Sequence, residues 1–357
     1  MTSTEARGED SDLGGARGVL AAAQAWRADG RSFALALVVE AEGSTYRKPG
    51  AFAVIAARGE RRGALSGGCL EPGVEELALH ALESDAPQSA EFDTRGDDDV
   101  VFGSGSGCRG RMRVIAIPVR PDRSSPLYDC IVDAMEQGEA LCVALAIEGP
   151  EHGLGTAWNA TSEIQIGTTP AMSAPLAPLR GLARGRHRMV FQGRTTEFAL
   201  FHIRPPLRLL LFGAGPEASP LLRCARTLGW FTVIADHREA LLMPRCLPAD
   251  RLLCARPPAA CAALDPLQFD AAIAMTHLAS ADLDALRALA ASSVGYVGLL
   301  GPPARRDELL AQLDDASRAA LGGRLHAPVG LALGGEGPGA IALSIVADLQ
   351  RHLAERA

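Results

Sequence analysis

The sequence predicts a two-part α/β protein: a small N-terminal α/β domain organised by glycine-rich cysteine loops, then a C-terminal Rossmann-like domain with a doubly wound parallel sheet. Three observations predict it. First, Leu65-Ser66-Gly67-Gly68-Cys69-Leu70-Glu71-Pro72 separates an apolar run, residues 51–57, from a segment whose apolar Val74, Leu77, Ala78, Ala81 and Leu82 recur at helical spacing. Second, Gly213-Ala214-Gly215-Pro216-Glu217-Ala218 follows the apolar run 207–212, opens a helix, and is followed at position 236 by an aspartate. Third, short apolar runs and helical periods alternate from there onward, as in a parallel sheet. A length of 357 residues suits two domains.

In chain order, residues 1–16 are polar and read as a flexible tail; no basic stretch followed by an apolar core marks a signal peptide. Residues 18–28 read as an amphipathic helix stopped by Asp29-Gly30, and 33–40 as a strongly apolar strand. The polar loop Glu42-Gly43-Ser44-Thr45-Tyr46-Arg47-Lys48-Pro49-Gly50 leads to the run 51–57, and a turn at 58–63 leads to the Gly-Gly-Cys stretch. There two glycines let the backbone bring N–H groups close to a bound group, and Pro72 suits the first helical turn. The partial positive charge of the helix start favours an anion, which makes Cys69 a candidate ligand-handling thiol. A small core cysteine beside a structural turn would leave the same letters.

Gly103-Ser104-Gly105-Ser106-Gly107-Cys108-Arg109-Gly110 repeats the recipe, preceded by Asp97-Asp98-Asp99 and followed by the strand-like 112–119. Three polar loops at strand ends make a concave pocket, and Cys108 is a second, weaker candidate thiol. A helix at 126–135 and a strand at 140–147 complete a domain spanning 17–147. Residues 148–206 are rich in Gly, Pro, Ser and Thr and read as a loop-rich middle segment and linker. Within it, 190–191 and 198–203 look like a closing hairpin.

The C-terminal domain, 207–357, carries the dinucleotide-type turn. In such a unit Gly213 makes the turn, Gly215 admits a pyrophosphate, Ala218 lets helix pack on strand, and Asp236 holds a ribose hydroxyl. Strands are expected at 231–235, 252–253, 271–275 and 295–300, helices at 281–290, 305–313 and 340–353. Met275-Thr276-His277 and Gly298-Leu299-Leu300-Gly301 fall at strand C-terminal ends, where ligands bind in such sheets. A loop histidine bonded to backbone is the plain alternative for His277.

Composition removes several function classes. A net charge of −7 with scattered basic residues argues against nucleic-acid binding, and no apolar run approaches the roughly 20 residues of a membrane helix. Eight cysteines without C-x-x-C spacing suit reduced thiols in the cytoplasm better than structural zinc or a disulfide framework. Lys48 is the sole lysine, so there is no Walker A site, and a lysine Schiff base is excluded elsewhere.

The residues 42–51, then Ser66-Gly67-Gly68-Cys69-Leu70-Glu71, then Asp97-Asp98-Asp99 to Gly107-Cys108-Arg109-Gly110, resemble in order the XdhC/CoxI family. These are maturation factors of xanthine and carbon-monoxide dehydrogenases, and the similarity continues to the C-terminus outside the middle segment. The resemblance implies a molybdenum-cofactor maturation factor or chaperone, and leaves open whether the chain is also an enzyme. It would bind the cofactor as molybdopterin or its dinucleotide form, support sulfuration by a cysteine desulfurase, and deliver it to a xanthine-dehydrogenase-type hydroxylase. A homodimer is the family-style expectation. The candidate cofactor-binding residues are Ser44, Arg47, Gly67, Gly68, Cys69, Glu71, Gly107, Cys108 and Arg109. Gly213, Gly215, Asp236 and His277 would hold any nucleotide in the C-terminal domain. No metal ligand is expected beyond an indirect molybdenum contact at Cys69. The chain departs from the family where Pro216 replaces His, Leu278 replaces an acid, Pro302-Pro303 replace Ser-Arg, and Gly337-Pro338-Gly339-Ala340 replace Thr-Pro-Glu-Glu. The competing readings are an NAD(P)-dependent oxidoreductase working through the C-terminal turn, and a scaffold whose Rossmann unit only docks partners.

Overall fold

A computed structural model describes residues 13–95, 109–149, 151–167, 177–191, 194–264 and 268–355. The chain divides into two units, Ala16–Pro205 and Pro206–Ala357, with the second also taking in the chain up to Gly15.

In the first unit, α1 (Gly15–Ala28) forms because Val19, Leu20, Ala23 and Trp26 share one side and bury together. Gly30, with φ of 73°, ends it. β1 (Phe33–Gly43), β2 (Phe52–Ala56), β3 (Arg61–Arg62), β4 (Gln88–Asp93) and β5 (Gly110–Val119) make an antiparallel sheet of order β3-β2-β1-β5-β4. The alternation along β1 decides how it packs. Phe33, Leu35, Leu37 and Val39 enter one core, while the small Ala34 and Ala36, with Val38, face α2 (Glu71–Ser84) through its Val74, Ala78, Ala81 and Leu82.

α3 (Pro126–Gln137) is followed by β6 (Leu141–Glu148), β7 (Gly155–Trp158), β8 (Glu163–Ile166), β9 (Gly185–Phe191) and β10 (Arg194–Ile203). These strands pair antiparallel in the order β8-β7-β6-β10-β9, so the topology of the first sheet is used twice. Both sheets, α1 and α3 contribute to one hydrophobic core. Where α2 stands in the first copy, the second has a 3-10 turn, Ala177–Gly181, among its described residues.

The segment after residue 147 is more regular than the loop-rich expectation: four strands lie there, β7 and β10 pair with β6 on the other side of the expected boundary, and β9 with β10 forms the expected closing hairpin. Strands β7 and β8 have four residues each, too few for an alternation to show. The turn-like Gly155 is required within β7, since a Cβ there would overlap the carbonyl oxygen of Ala144 on β6. The expected tail is also corrected at its end. Gly15 already belongs to α1, and the Gly14 N–H donates to the Arg226 carbonyl at 3.0 Å.

The second unit contains β11 (Arg208–Phe212), α4 (Ala218–Thr227), β12 (Phe231–Asp236), β13 (Arg251–Cys254), α5 (Pro257–Leu264), β14 (Ala271–Ala274), α6 (Ala279–Ala290), β15 (Tyr296–Leu299), α7 (Pro303–Ala311), α8 (Asp315–Leu321), β16 (Leu325–His326) and α9 (Gly337–Glu355). All six strands are parallel, in the order β13-β12-β11-β14-β15-β16. Leu209 and Leu211 pack with α4 and α9; Leu210 and Phe212 pack with α5, α6, α7 and α8 on the other face. Each such side chain contributes about 1.5–3 kcal/mol by burial. Fully buried Tyr296 donates its hydroxyl to Asp348 at 2.7 Å, pinning α9 to β15. Burial and that carboxylate push the phenol's pKa up. The Rossmann-like doubly wound sheet expected from the alternation is therefore present. No helix among the described residues is long and apolar enough to cross a membrane.

Candidate functional site

Three loops meet at one end of the first sheet. The loop after β1 reaches the loop before α2 through Arg47, whose Nε donates to the Ala64 carbonyl at 3.1 Å. It reaches the start of β5 through Ser44, whose N–H donates to the Arg109 carbonyl at 3.2 Å. Gly110 allows that second approach, because a Cβ there would stand 2.5 Å from the Ser44 carbonyl oxygen. Exposed Tyr46 lies under the Arg47 guanidinium, 5.7 Å from ring centre to Cζ, and closest to where a Gly67 side chain would begin.

The loop before α2 is tied from beneath by Glu71. Its carboxylate is 4% exposed, and Oε1 accepts from the Leu65 N–H at 3.1 Å, the Ser66 N–H at 3.0 Å and the Ser66 hydroxyl at 3.2 Å. The Ser66 oxygen then accepts from the N–H groups of Gly68 (3.2 Å) and Leu70 (3.1 Å). Arg61 balances the buried charge from 3.6 Å. Four loop N–H groups are thereby used internally. Those of Gly67 and Cys69 have no acceptor among the described residues, and Gly68, with φ of 116°, faces open space. A non-glycine residue at 68 would be strained in that conformation.

The structure thus brings Ser44, Arg47, Gly67, Gly68, Cys69 and Arg109 together. The half-buried thiol of Cys69 stands two positions before α2, and Ser44, Arg47, Gly67, Gly68 and Arg109 are exposed. Glu71 differs from expectation: it is turned inward as the knot of the loop, not outward as a ligand contact. Gly107 and Cys108 lie outside the described residues. Exposed Arg47, Lys48 and Arg109 surround the platform, and Arg109 has no ion partner among the described residues. The nearby Glu42 is engaged by Arg111 at 2.5 Å, which holds its carboxyl below the usual range. Free N–H groups, guanidinium ions and a soft thiol together suit an anionic, phosphate-bearing ligand with sulfur or metal chemistry.

In the second unit the glycine turn lies at the crevice between β11 and β14, where the strand order reverses. Gly213 has φ of 115°, and a Cβ there would overlap the Met275 carbonyl oxygen. Asp236 is buried and differs from the ribose-holding expectation. Its Oδ2 accepts from the Ala214 N–H at 2.8 Å, and Arg238 forks both oxygens at 2.9 and 2.7 Å. Burial opposes its charge, yet Arg238 and the Ala214 and Arg238 N–H groups outweigh that and hold its pKa at about 2. Both oxygens thus serve the protein itself.

His277 has φ of 62°, and its Nε2 lies 3.0 Å from Glu217 Oε2. Beneath it, fully buried Asp282 accepts from the Thr276 N–H (3.0 Å) and hydroxyl (2.7 Å) and pairs with Arg305 at 2.6 Å. Sequence reasoning missed Glu217, Asp282 and Arg305. Asp282 stands six residues after Thr276 and inside α6, a spacing that matches no capping box, so no local sequence signal marked it. Among the described residues, no cluster of three or more His, Cys, Asp or Glu side chains is gathered to hold a metal ion.

Comparison with known proteins places this geometry. A family model described as the XdhC Rossmann domain matches residues 209–349, and one described as the XdhC and CoxI family matches residues 26–93. The chain is 32% identical over 316 residues to a protein of Bacillus subtilis strain 168 described as a probable xanthine dehydrogenase subunit; the match spans 88% of this chain and 91% of that one. It is 33% identical over 160 residues to the uncharacterized protein YqeB of Escherichia coli K12, spanning 44% of this chain and 29% of that one. A crystal structure described as a xanthine dehydrogenase from Bacillus halodurans superposes with a TM-score of 0.76 at 25% identity, over 95% of this chain and 96% of that one.

Proposed function

The chain belongs to the XdhC and CoxI family, and on that footing we propose that it is an accessory factor that loads the molybdenum cofactor into a xanthine-dehydrogenase-type hydroxylase. The observation that carries this reading is the direct bonding of the three loops: Arg47 to Ala64, Ser44 to Arg109, and the Glu71–Ser66 knot that leaves the Gly67 and Cys69 N–H groups unused. Those two donors, with Arg47 and Arg109, would hold the cofactor's phosphate. Cys69 would stand close to its metal or dithiolene sulfur, which is the chemistry the cofactor supplies. The platform has thiol and donor groups but no histidine, so it suits holding and handing on better than turnover. A cysteine desulfurase would be the sulfur source, and the hydroxylase the recipient.

Two assays run side by side test this. The isolated chain is expected to show no turnover with purines, aldehydes or nicotinamide cofactors. Reconstitution of an immature hydroxylase with cofactor and a sulfur donor is expected to depend on the chain and to fall at least tenfold with Cys69→Ala, and less with Cys108→Ala. Hydride transfer by the chain alone, with no effect on the hydroxylase, would establish the oxidoreductase reading instead.

A further inference from the structure

A cavity of about 360 Å³ lies between α1 and α3 of the first unit and shares no residue with the three-loop platform. α1 lends it Gln24 and Arg27, and α3 lends it Tyr128, Asp129, Val132 and Asp133. Its volume is within the roughly 300–1,000 Å³ of small-molecule sites. Tyr128 is only 2% exposed, and its ring meets Phe33 edge-on with centroids 5.3 Å apart. Its hydroxyl is buried and has no hydrogen-bond partner among the described residues. Burial pushes the phenol's pKa up to about 12, with the Arg27 charge opposing it only in part. At neutral pH the group is therefore an intact hydroxyl, able to donate and to accept. Buried hydroxyls are ordinarily bonded, so one that is unbonded beside a cavity calls for a partner within it.

The charges around the cavity divide into used and unused. Arg27 pairs with Asp129 and also donates from Nη2 to the Arg123 carbonyl at 3.1 Å. The second Asp129 oxygen accepts from the Ser125 N–H at 3.0 Å and the Ser124 hydroxyl at 3.1 Å. Asp133 and Gln24 are exposed, and neither has a partner among the described residues. With Arg27 and Asp129 cancelling, Asp133 leaves the cavity with one negative charge. Val132 adds apolar wall.

We propose that this cavity is a binding site for a small organic cation bearing N–H groups, an alkylammonium or a guanidinium, held by Asp133, Gln24 and the Tyr128 hydroxyl. The carboxylate supplies the charge-assisted bond, the Gln24 carbonyl and the Tyr128 oxygen accept the remaining N–H groups, and Val132 covers the methylenes. A ligand so held ties α1 to α3.

Calorimetric titration of the full-length chain at low ionic strength with putrescine, methylguanidine and tetramethylammonium tests this. Putrescine or methylguanidine is expected to bind saturably, the two arms separating an ammonium from a guanidinium source, and tetramethylammonium, which has no N–H, is expected not to. Asp133→Asn should weaken the bound cation about tenfold, as for a lost hydrogen bond to a charged group. Tyr128→Phe should weaken it about threefold, as for a neutral one. Because Tyr128→Phe removes a hydroxyl that has no partner in the protein, it should melt no lower than the wild type, which separates a lost contact from a lost fold. Absence of saturable binding by both N–H cations, an equal response to tetramethylammonium, or binding indifferent to both substitutions overturns the proposal. None of these results bears on the three-loop platform, which is assayed on the hydroxylase.

Discussion

Glu71 illustrates how a motif letter acquires its role only through burial. Its spacing from Ser66 was visible in the chain, but whether the carboxylate turned out to a ligand or in to the backbone depended on the core beneath the loop. Removing it strands the buried Leu65 and Ser66 N–H groups, each costing about 1–3 kcal/mol. Glu71→Ala should therefore lower the melting temperature by several degrees and speed alkylation of Cys69. Glu71→Gln, which keeps one acceptor, should do less of both. Thermal melts by circular dichroism and thiol-labelling rates check this pair. Asp236 is a second case, read as a ribose ligand from its position and found bonded to Ala214 and Arg238. Its depressed pKa means that the charged form favours the folded state at neutral pH, by on the order of 2 kcal/mol. That contribution is full above about pH 4 and fades as pH falls toward about 2. Asp236→Asn should accordingly lower the urea midpoint at pH 7, with the gap from wild type narrowing as the titration is repeated toward pH 3.

Elements with a strong period were legible and short ones were not. The alternation Phe33-Ala34-Leu35-Ala36-Leu37 and the heptad-like spacing in α1 and α2 pointed to their cores directly. β3, β7, β8 and β16, of two to four residues, carry too few positions for a period, and only their neighbours make them strands. The turn between β6 and β7 depends on such neighbours: buried Glu151 accepts from the Thr196 hydroxyl of β10 at 3.0 Å. Next to it, burial pushes the pKa of His152 down, reinforced by the Arg113 charge and only partly offset by a backbone hydrogen bond at Pro87. The unfolded chain then takes up a proton that the folded turn refuses, so stability is lost as pH falls below the ordinary histidine value near 6.5. Chemical denaturation at pH 8 and pH 5 should show a smaller loss in His152→Gln than in the wild type.

The whole molecule consists of two units, each with its own core, and residues 206–357 are expected to fold alone with one cooperative transition. A fragment beginning at residue 206 lacks the Gly14–Arg226 hydrogen bond and should melt only slightly below the same unit in the full chain. A melt without a cooperative transition would show that the unit depends on the rest of the chain. The parallel sheet was readable because each βα step announces itself locally. The doubling of the first sheet was not, because two copies of one strand order share no motif.

That doubling has a bearing on stoichiometry. Two copies of one topology around a shared core have the make-up of a homodimer joined into a single polypeptide, yet they are unequal. One copy carries α2 with its knotted loop, while the other has a short 3-10 turn at the corresponding place in the order. On the proposed reading, the copy with the knotted loop would carry the cofactor platform and the second copy would serve as a buttress. A chain of this kind is expected to carry one cargo molecule, where a symmetric assembly of two such halves would carry two.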